Sequence, residues 1–255
     1  MEQVIDKKSE CMVLYSGGYD SVAVLHKLIL LEKYDKIVAV MEISEQIITD
    51  YEIDHAKKSF NKLKKIADRN NVELILIEEK IDLGWANYDY PYSNYNQDLL
   101  LLLHTSTILK YGQYKEYYLG WEHHVFEELD ISKKLIKWFN KNSLEGYKIY
   151  FLNELFLSKS LEQSKYYVVD YLLRHNIFDL GFTSEMWETK QERSERKYWW
   201  KNNKKENAIA KSLISISEFD SEDISKIFLM KTTKEIQKYY NELTKNAKKA
   251  DEQWH

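Results

Sequence analysis

The chain has 255 residues, 44% of them hydrophobic, with a formal net charge of -4 and a pI near 6.0. That size suffices for one large domain or a domain with an appendage, and the charge gives no global basic field for nucleic acid. One cysteine, Cys11, excludes an internal disulfide and a site of several thiolates. No apolar run reaches the roughly 18–20 residues that span a bilayer, and the N-terminus lacks a signal peptide's apolar core, so a cytoplasmic setting without membrane partners is expected.

In chain order, residues 11–15 form a short apolar run that reads as a strand buried on both faces. "SGGYDS" follows at 16–21. From Asp20 to about Glu32, Val22, Val24, Leu25, Leu28, Ile29 and Leu31 suit a helix packed on a sheet. "KIVAVMEI" (36–43) is the second strand, 50–69 a helix carrying Ile53, Ala56, Phe60 and Leu63, and 72–79 the third strand. A tyrosine- and asparagine-rich loop at 84–96 has the length of a lid or substrate-contacting loop, with aromatic packing as the other explanation. It precedes an apolar helix in "NQDLLLLLHTSTILKYG", closed by Gly112. Residues 116–121 read as a fourth strand running into Gly120, 131–142 as a helix, 148–155 as a fifth strand and 160–175 as a helix. Strands alternating with helices predict an α/β fold, an open, mostly parallel five-stranded sheet with helices on both faces. Past Phe182 the sequence becomes charged and helix-prone, so the expected units are an α/β domain at 1–182 and a helical C-terminal appendage at 183–255.

Two of only seven glycines, Gly17 and Gly18, stand where the first strand gives way to the first helix. Glycine permits positive φ and close approach to the backbone. Successive N–H groups in such a turn form an anion nest, to which the helix adds its N-terminal donors and positive dipole end. Ser16 and Ser21 flank the nest with hydroxyls. The pattern predicts a phosphate or pyrophosphate at the carboxyl edge of the sheet. It lacks the Gly-Lys-Ser/Thr of the mononucleotide P-loop and the Gly-x-Gly-x-x-Gly of dinucleotide folds.

"SGGYDS" resembles the pyrophosphate loop (PP-loop) of the N-type ATP pyrophosphatases. The resemblance implies an adenine nucleotide alpha hydrolase-like domain over 1–182 that cleaves ATP between the α- and β-phosphates. AMP would be placed on a carboxylate or carbonyl oxygen and then displaced by a nitrogen or sulfur nucleophile. It implies ATP and Mg²⁺ as cofactors, nucleotide contacts from Ser16, Gly17, Gly18, Tyr19, Asp20 and Ser21, and Asp20 as the metal-holding or loop-bracing acid. By the same resemblance, Met41 contacts adenine through its backbone and Gly120 lines the pocket. Asp20 and Lys165, the latter within "LEQSKYYVVDYLL", are the candidate catalytic residues, Lys165 facing the phosphates.

The order of elements over residues 11–190 is most similar to the 7-cyano-7-deazaguanine synthase branch, which makes queuosine-type deazapurines. That implies a C–N ligase acting on a small-molecule acid, with homodimerisation left open. Two departures stand out. Tyr95-Asn96 occupies the place of an Arg-Asn pair, and "FTSEMWETKQERSERKYWWKNN" has none of the four cysteines that bind zinc in that branch, so no zinc is expected. The cysteine count also argues against the thiolating relatives, which use a cysteine pair or an iron–sulfur cluster. Cys11 reads as a buried small residue.

In "GWEHHVFEELD", Glu122 and His123 either face the ATP or substrate pocket or belong to a solvated stretch. A metal site of His123, Glu127, Glu128 and Asp130 is the weakest reading. Residues 190–205 interleave seven basic side chains with Tyr198, Trp199 and Trp200. They suit base stacking, or, as the favoured reading, a solvated helix whose tryptophans pack inward. Two other functions stay open. One is a nucleotide-binding or interaction protein without catalysis. The other is a tRNA-modifying enzyme whose C-terminal helices hold RNA, nucleic acid being the less favoured partner.

Overall fold

The computed structural model describes residues 9–43, 50–81, 104, 106–108, 110–111, 114–120, 148–157, 161–181, 226, 234–242 and 245; the side chains of 51, 153 and 161–166 fall outside it. Five strands form one sheet: β1 (Glu10–Leu14), β2 (Lys36–Ile43), β3 (Glu73–Lys80), β4 (Glu116–Tyr118) and β5 (Lys148–Tyr150). Their order is β3-β2-β1-β4-β5 and every pair is parallel. The α/β fold expected from the alternating pattern is therefore the one observed.

A central parallel strand is covered on both faces, which explains runs such as "CMVL" and "KIVAVMEI" with no polar alternation. Cys11, Val13, Ile37, Ala39, Met41 and Leu74 enter the larger core, while Met12, Val38, Val40, Tyr117 and Leu119 enter the smaller one. The β1–β2 register, Cys11 opposite Ile37 through Leu14 opposite Val40, keeps these sets on their own faces.

Helices α1 (Tyr19–Leu30), α2 (Asp50–Arg69), α3 (Leu152–Phe156) and α4 (Leu161–Arg174) cover the larger core. Helical residues between 104 and 110 cover the other face, with Ile108 buried against Val38 and Val40. α2 and α4 end with Asn71 and Asn176 at φ 57°, the left-handed position asparagine tolerates best after glycine. The fifth strand is shorter than the apolar run 148–155 predicts. The Phe151 N–H donates to the Glu154 carboxylate at 2.7 Å, half of a capping box, and the chain turns helical at Leu152.

α4 runs antiparallel to α1. His26 Nδ1 lies 2.9 Å from the Tyr171 hydroxyl and its ring 5.0 Å from that of His175, whereas Tyr19, two turns earlier on α1, meets Phe178 beyond the end of α4. Lys27 Nζ donates to the Leu155 carbonyl at 2.8 Å and sits 4.3 Å from the centre of the Phe156 ring. Residues 234–242 are helical, and Ile236 and Tyr240 join the larger core. The buried Gln237 donates from Nε2 to the Leu173 carbonyl at 2.9 Å.

The sheet order fixes where a ligand can enter. The chain leaves β1 toward β2 on one side, and after β3 it returns to place β4 on the other side of β1. β1 connects to β2 and β4 to β5, on opposite sides, and in open parallel sheets ligands bind outside the carboxyl ends of two such strands.

Candidate phosphate-binding site

β1 ends at Leu14, and Tyr15 donates its N–H to the Val40 carbonyl at 2.9 Å before the chain bends away from the sheet. Gly17 then takes φ 81°, a backbone state that an L side chain adopts only at a cost. Gly18 is the N-cap of α1 and provides no side-chain cap. The first-turn N–H groups of a helix have no carbonyl one turn back, so an uncapped start presents donors and a positive dipole end. Asp20 lies half-buried in that first turn.

The two serines have different tasks. Ser21 is 4% exposed, and its Oγ donates to the Gly18 carbonyl at 3.0 Å while accepting from the Ser16 N–H at 3.3 Å. Its hydroxyl proton is thereby committed inside the loop. Ser16 is exposed; its Oγ accepts from the Gly18 N–H at 3.3 Å and lies 3.2 Å from Ser21 Oγ. Ser21 is a staple across the loop, and the exposed Ser16 leans its hydroxyl on that staple.

Gly120, two residues past β4, comes directly against this helix start. A Cβ there would stand 3.0 Å from Ser21 N, 3.2 Å from Ser21 Cα and 3.3 Å from the Asp20 carbonyl carbon, all backbone atoms. Only glycine lets the two chains approach so closely. The glycine past β4 thus packs on the first turn of the helix that the glycine pair opens.

Other predicted residues fall elsewhere. Met41 lies within β2 opposite Glu78 and is 2% exposed. Val40 gives its carbonyl to the β1 side and Ile43 gives its carbonyl to Ile81, beyond β3. Backbone groups alternate sides along a strand, so those of Met41 face β3 and those of Glu42 face the β1 side, beyond the end of that strand. Lys165 lies on α4, six residues before Tyr171 and so about 9 Å further from the loop along the helix axis. The backbone of α4 does not bring it to the phosphate loop, and its side chain is outside the described residues. Tyr95, Asn96, Glu122, His123, Glu127, Glu128 and Asp130 also lie outside them, as do the loop 84–96 and the segment 190–205.

Glu42 is notable for its surroundings. Its carboxylate accepts hydrogen bonds from His104 Nδ1 and, at 2.5 Å, from Thr107 Oγ1. Burial pushes its pKa upward, but the His104 charge and both hydrogen bonds outweigh that and hold it below the ordinary carboxylate value. On the adjacent strand Glu79, opposite Glu42, accepts from Lys110 at 2.5 Å and from the Tyr111 hydroxyl at 2.7 Å. The end of β2 is fixed from the second face of the sheet by this acid pair.

Two contacts escaped sequence reasoning, those of Tyr15 and Tyr19, whereas Cys11 is the buried residue its sequence setting suggests. Tyr15, 2% exposed, donates its hydroxyl to the Ala56 carbonyl at 3.2 Å. Tyr19 stacks on Phe178 with ring centroids 4.8 Å apart and planes 14° apart, and Gly181 lies so close that a Cβ would stand 2.3 Å from Tyr19 Cδ1. The only sequence signal for this contact is the scarcity of glycine, which gives Gly181 weight. Cys11 is fully buried, and desolvation first, then the Glu116 charge, push its thiol pKa well up, as suits a packing residue. Among the described residues no group of three or more histidine, cysteine, aspartate or glutamate side chains could hold a metal ion, and no helix is long and apolar enough to cross a membrane.

No family model matches the chain, and no curated protein matches it. Among solved structures it is similar to the U34-tRNA thiolase NcsA from Methanococcus maripaludis with its 4Fe–4S cluster, at 15% identity and a TM-score of 0.42, with 90% of this chain and 75% of that chain covered.

Proposed function

We propose that the chain is an ATP-using enzyme of the PP-loop type. It holds the β- and γ-phosphates on Ser16–Ser21, cleaves ATP between the α- and β-phosphates, and activates the carboxylate or carbonyl of a small acid for C–N bond formation. The observation that carries this reading is Gly17 in the left-handed state between β1 and α1, with Gly120 beyond β4 in close backbone approach to Asp20 and Ser21 at the start of α1. Backbone donors of the loop and the uncapped start of α1 supply positive potential where negative charge grows on the leaving pyrophosphate. Ser16, the exposed serine, supplies a phosphate contact, and Ser21 holds the loop in shape. Purine recognition by backbone falls to Glu42, whose amide groups face the β1 side of the sheet. Lys165 is given no role in this reading.

Mg²⁺ fits the donor set. The ion needs only one or two carboxylates besides phosphates and waters, and Asp20 in the first turn of α1 is such a carboxylate. When bound, it neutralises phosphate charge. Beyond that, the protein's contribution is orientation of the triphosphate in a fixed loop.

The test is incubation with ATP, Mg²⁺ and a panel of acceptors, among them 7-carboxy-7-deazaguanine and bulk tRNA, with mass spectrometry of the products. AMP and pyrophosphate released in equal amounts in the presence of one acid support the reading. Products of ADP and inorganic phosphate would sink it. ATP binding without AMP from any acceptor favours a nucleotide-binding protein without catalysis, and AMP formation that depends on tRNA moves the acceptor to RNA.

A further inference from the structure

We propose that α2 and the turn Ile177–Gly181 form a brace that positions the phosphate loop by gripping a tyrosine at each of its ends. Tyr15 stands immediately before the loop, and its hydroxyl donates to the Ala56 carbonyl on α2 while its ring packs edge-on against Phe60 of the same helix, centroids 6.0 Å apart. Tyr19 stands immediately after Gly18, stacked on Phe178 and covered by Gly181. The two grips are joined, because the Leu180 carbonyl accepts from Ser59 Oγ at 2.7 Å and lies 3.2 Å from His55 Nε2, both on α2. A closed circuit therefore runs from Tyr15 through α2, Leu180 and Phe178 to Tyr19, with Ser16–Gly18 suspended across its open side.

The loop needs such an external hold. Adjacent glycines lose the most conformational freedom on ordering, and Gly18 gives the helix no side-chain cap. Besides the Ser21 staple, the Ser16 hydroxyl joins the loop through contacts of 3.2–3.3 Å to Ser21 Oγ and the Gly18 N–H. The brace is well built for the task. Phe178 is fully buried, Ser59 is 3% exposed, and Gly181 admits no side chain over Tyr19. Ordering the loop before the ligand arrives removes that cost from binding. Ser59, Phe178 and Gly181 are thus positioning residues, acting on the phosphate through Tyr15 and Tyr19. The functional part of this inference rests on the nucleotide reading above.

The test combines amide hydrogen exchange of residues 16–21 without ligand and ATP affinity in the full chain. Gly181→Ala, Phe178→Ala and Ser59→Ala are compared with Leu172→Ala, a buried core change on α4 away from the loop. The first two are expected to raise both loop exchange and the Kd for ATP about tenfold at temperatures well below unfolding, as loss of fixed geometry does. Ser59→Ala should move both in the same direction by less, Ser59→Thr should restore them, and Leu172→Ala should lower only the melting temperature. Loop exchange in the Gly181 and Ser59 variants no faster than in Leu172→Ala overturns the brace, whether or not Phe178→Ala folds. Loop exchange that responds as expected in a protein that binds no ATP keeps the brace and overturns the nucleotide reading.

Discussion

At Gly17 the backbone state itself is the constraint. With φ at 81°, an alanine there carries the left-handed penalty of about 1–2 kcal/mol and tends to relax out of the turn that aims the loop donors. Gly120 is constrained by space instead, since Gly120→Ala would press a methyl on the Ser21 and Asp20 backbone. That overpacking should cost about 1–3 kcal/mol and weaken ATP binding, read as a lower urea midpoint and a higher Kd. Ser21→Ala removes the staple across the loop and should cost about 1–2 kcal/mol by the same unfolding measurement. The glycine pair was legible in the sequence because so few glycines are used. The division of labour between Ser16 and Ser21 was not, because a hydroxyl's direction depends on the turn it sits in.

The elements around the site are tied by groups whose protonation matters. Glu42 on β2 has its pKa held low, the upward push of burial being overcome by the His104 charge and the hydrogen bonds from His104 and Thr107. Its contribution is complete above the unfolded carboxylate value of about 4.3 and is lost as pH falls through the lower folded value. Glu42→Gln should therefore cost about 1.5–3 kcal/mol at pH 7, with the gap to the parent chain closing in acid, as urea melts at several pH values would show. The α1–α4 interface works at a different pH. Burial, then the charge of His175, lower the pKa of His26 to about 4. The unfolded chain takes up this proton first, so stability contributed by neutral His26 is complete above about 6.5 and falls between there and about 4. His26→Gln should flatten that part of the stability–pH curve while leaving a hydrogen-bonding group near Tyr171. The helical and strand patterns were visible in the sequence, yet β5 stopped early because Glu154 caps a helix that the apolar run concealed.

For the molecule as a whole, described residues past 182 pack into the main core. Ile236 and Tyr240 belong to the same core as α1 and α4, and Gln237 binds the end of α4. Ile236→Ala should cost about 2–5 kcal/mol and lower the melting temperature of the entire chain in one transition, which calorimetry would show as a single peak shifted down. Two separate peaks, with the α/β part unmoved, would contradict that shared core.

The sequence by itself determined the alternation of strands and helices, the buried parallel character of β1 and β2, and the glycine turn between β1 and α1, because periodicity and glycine usage are local properties. Tertiary structure alone decided that Gly120 packs on the Asp20 and Ser21 backbone, that Tyr15 bonds to α2 and that Tyr19 stacks on Phe178. Those relations depend on strand order and helix direction, and contacts between segments distant along the chain leave no periodic trace in either of them.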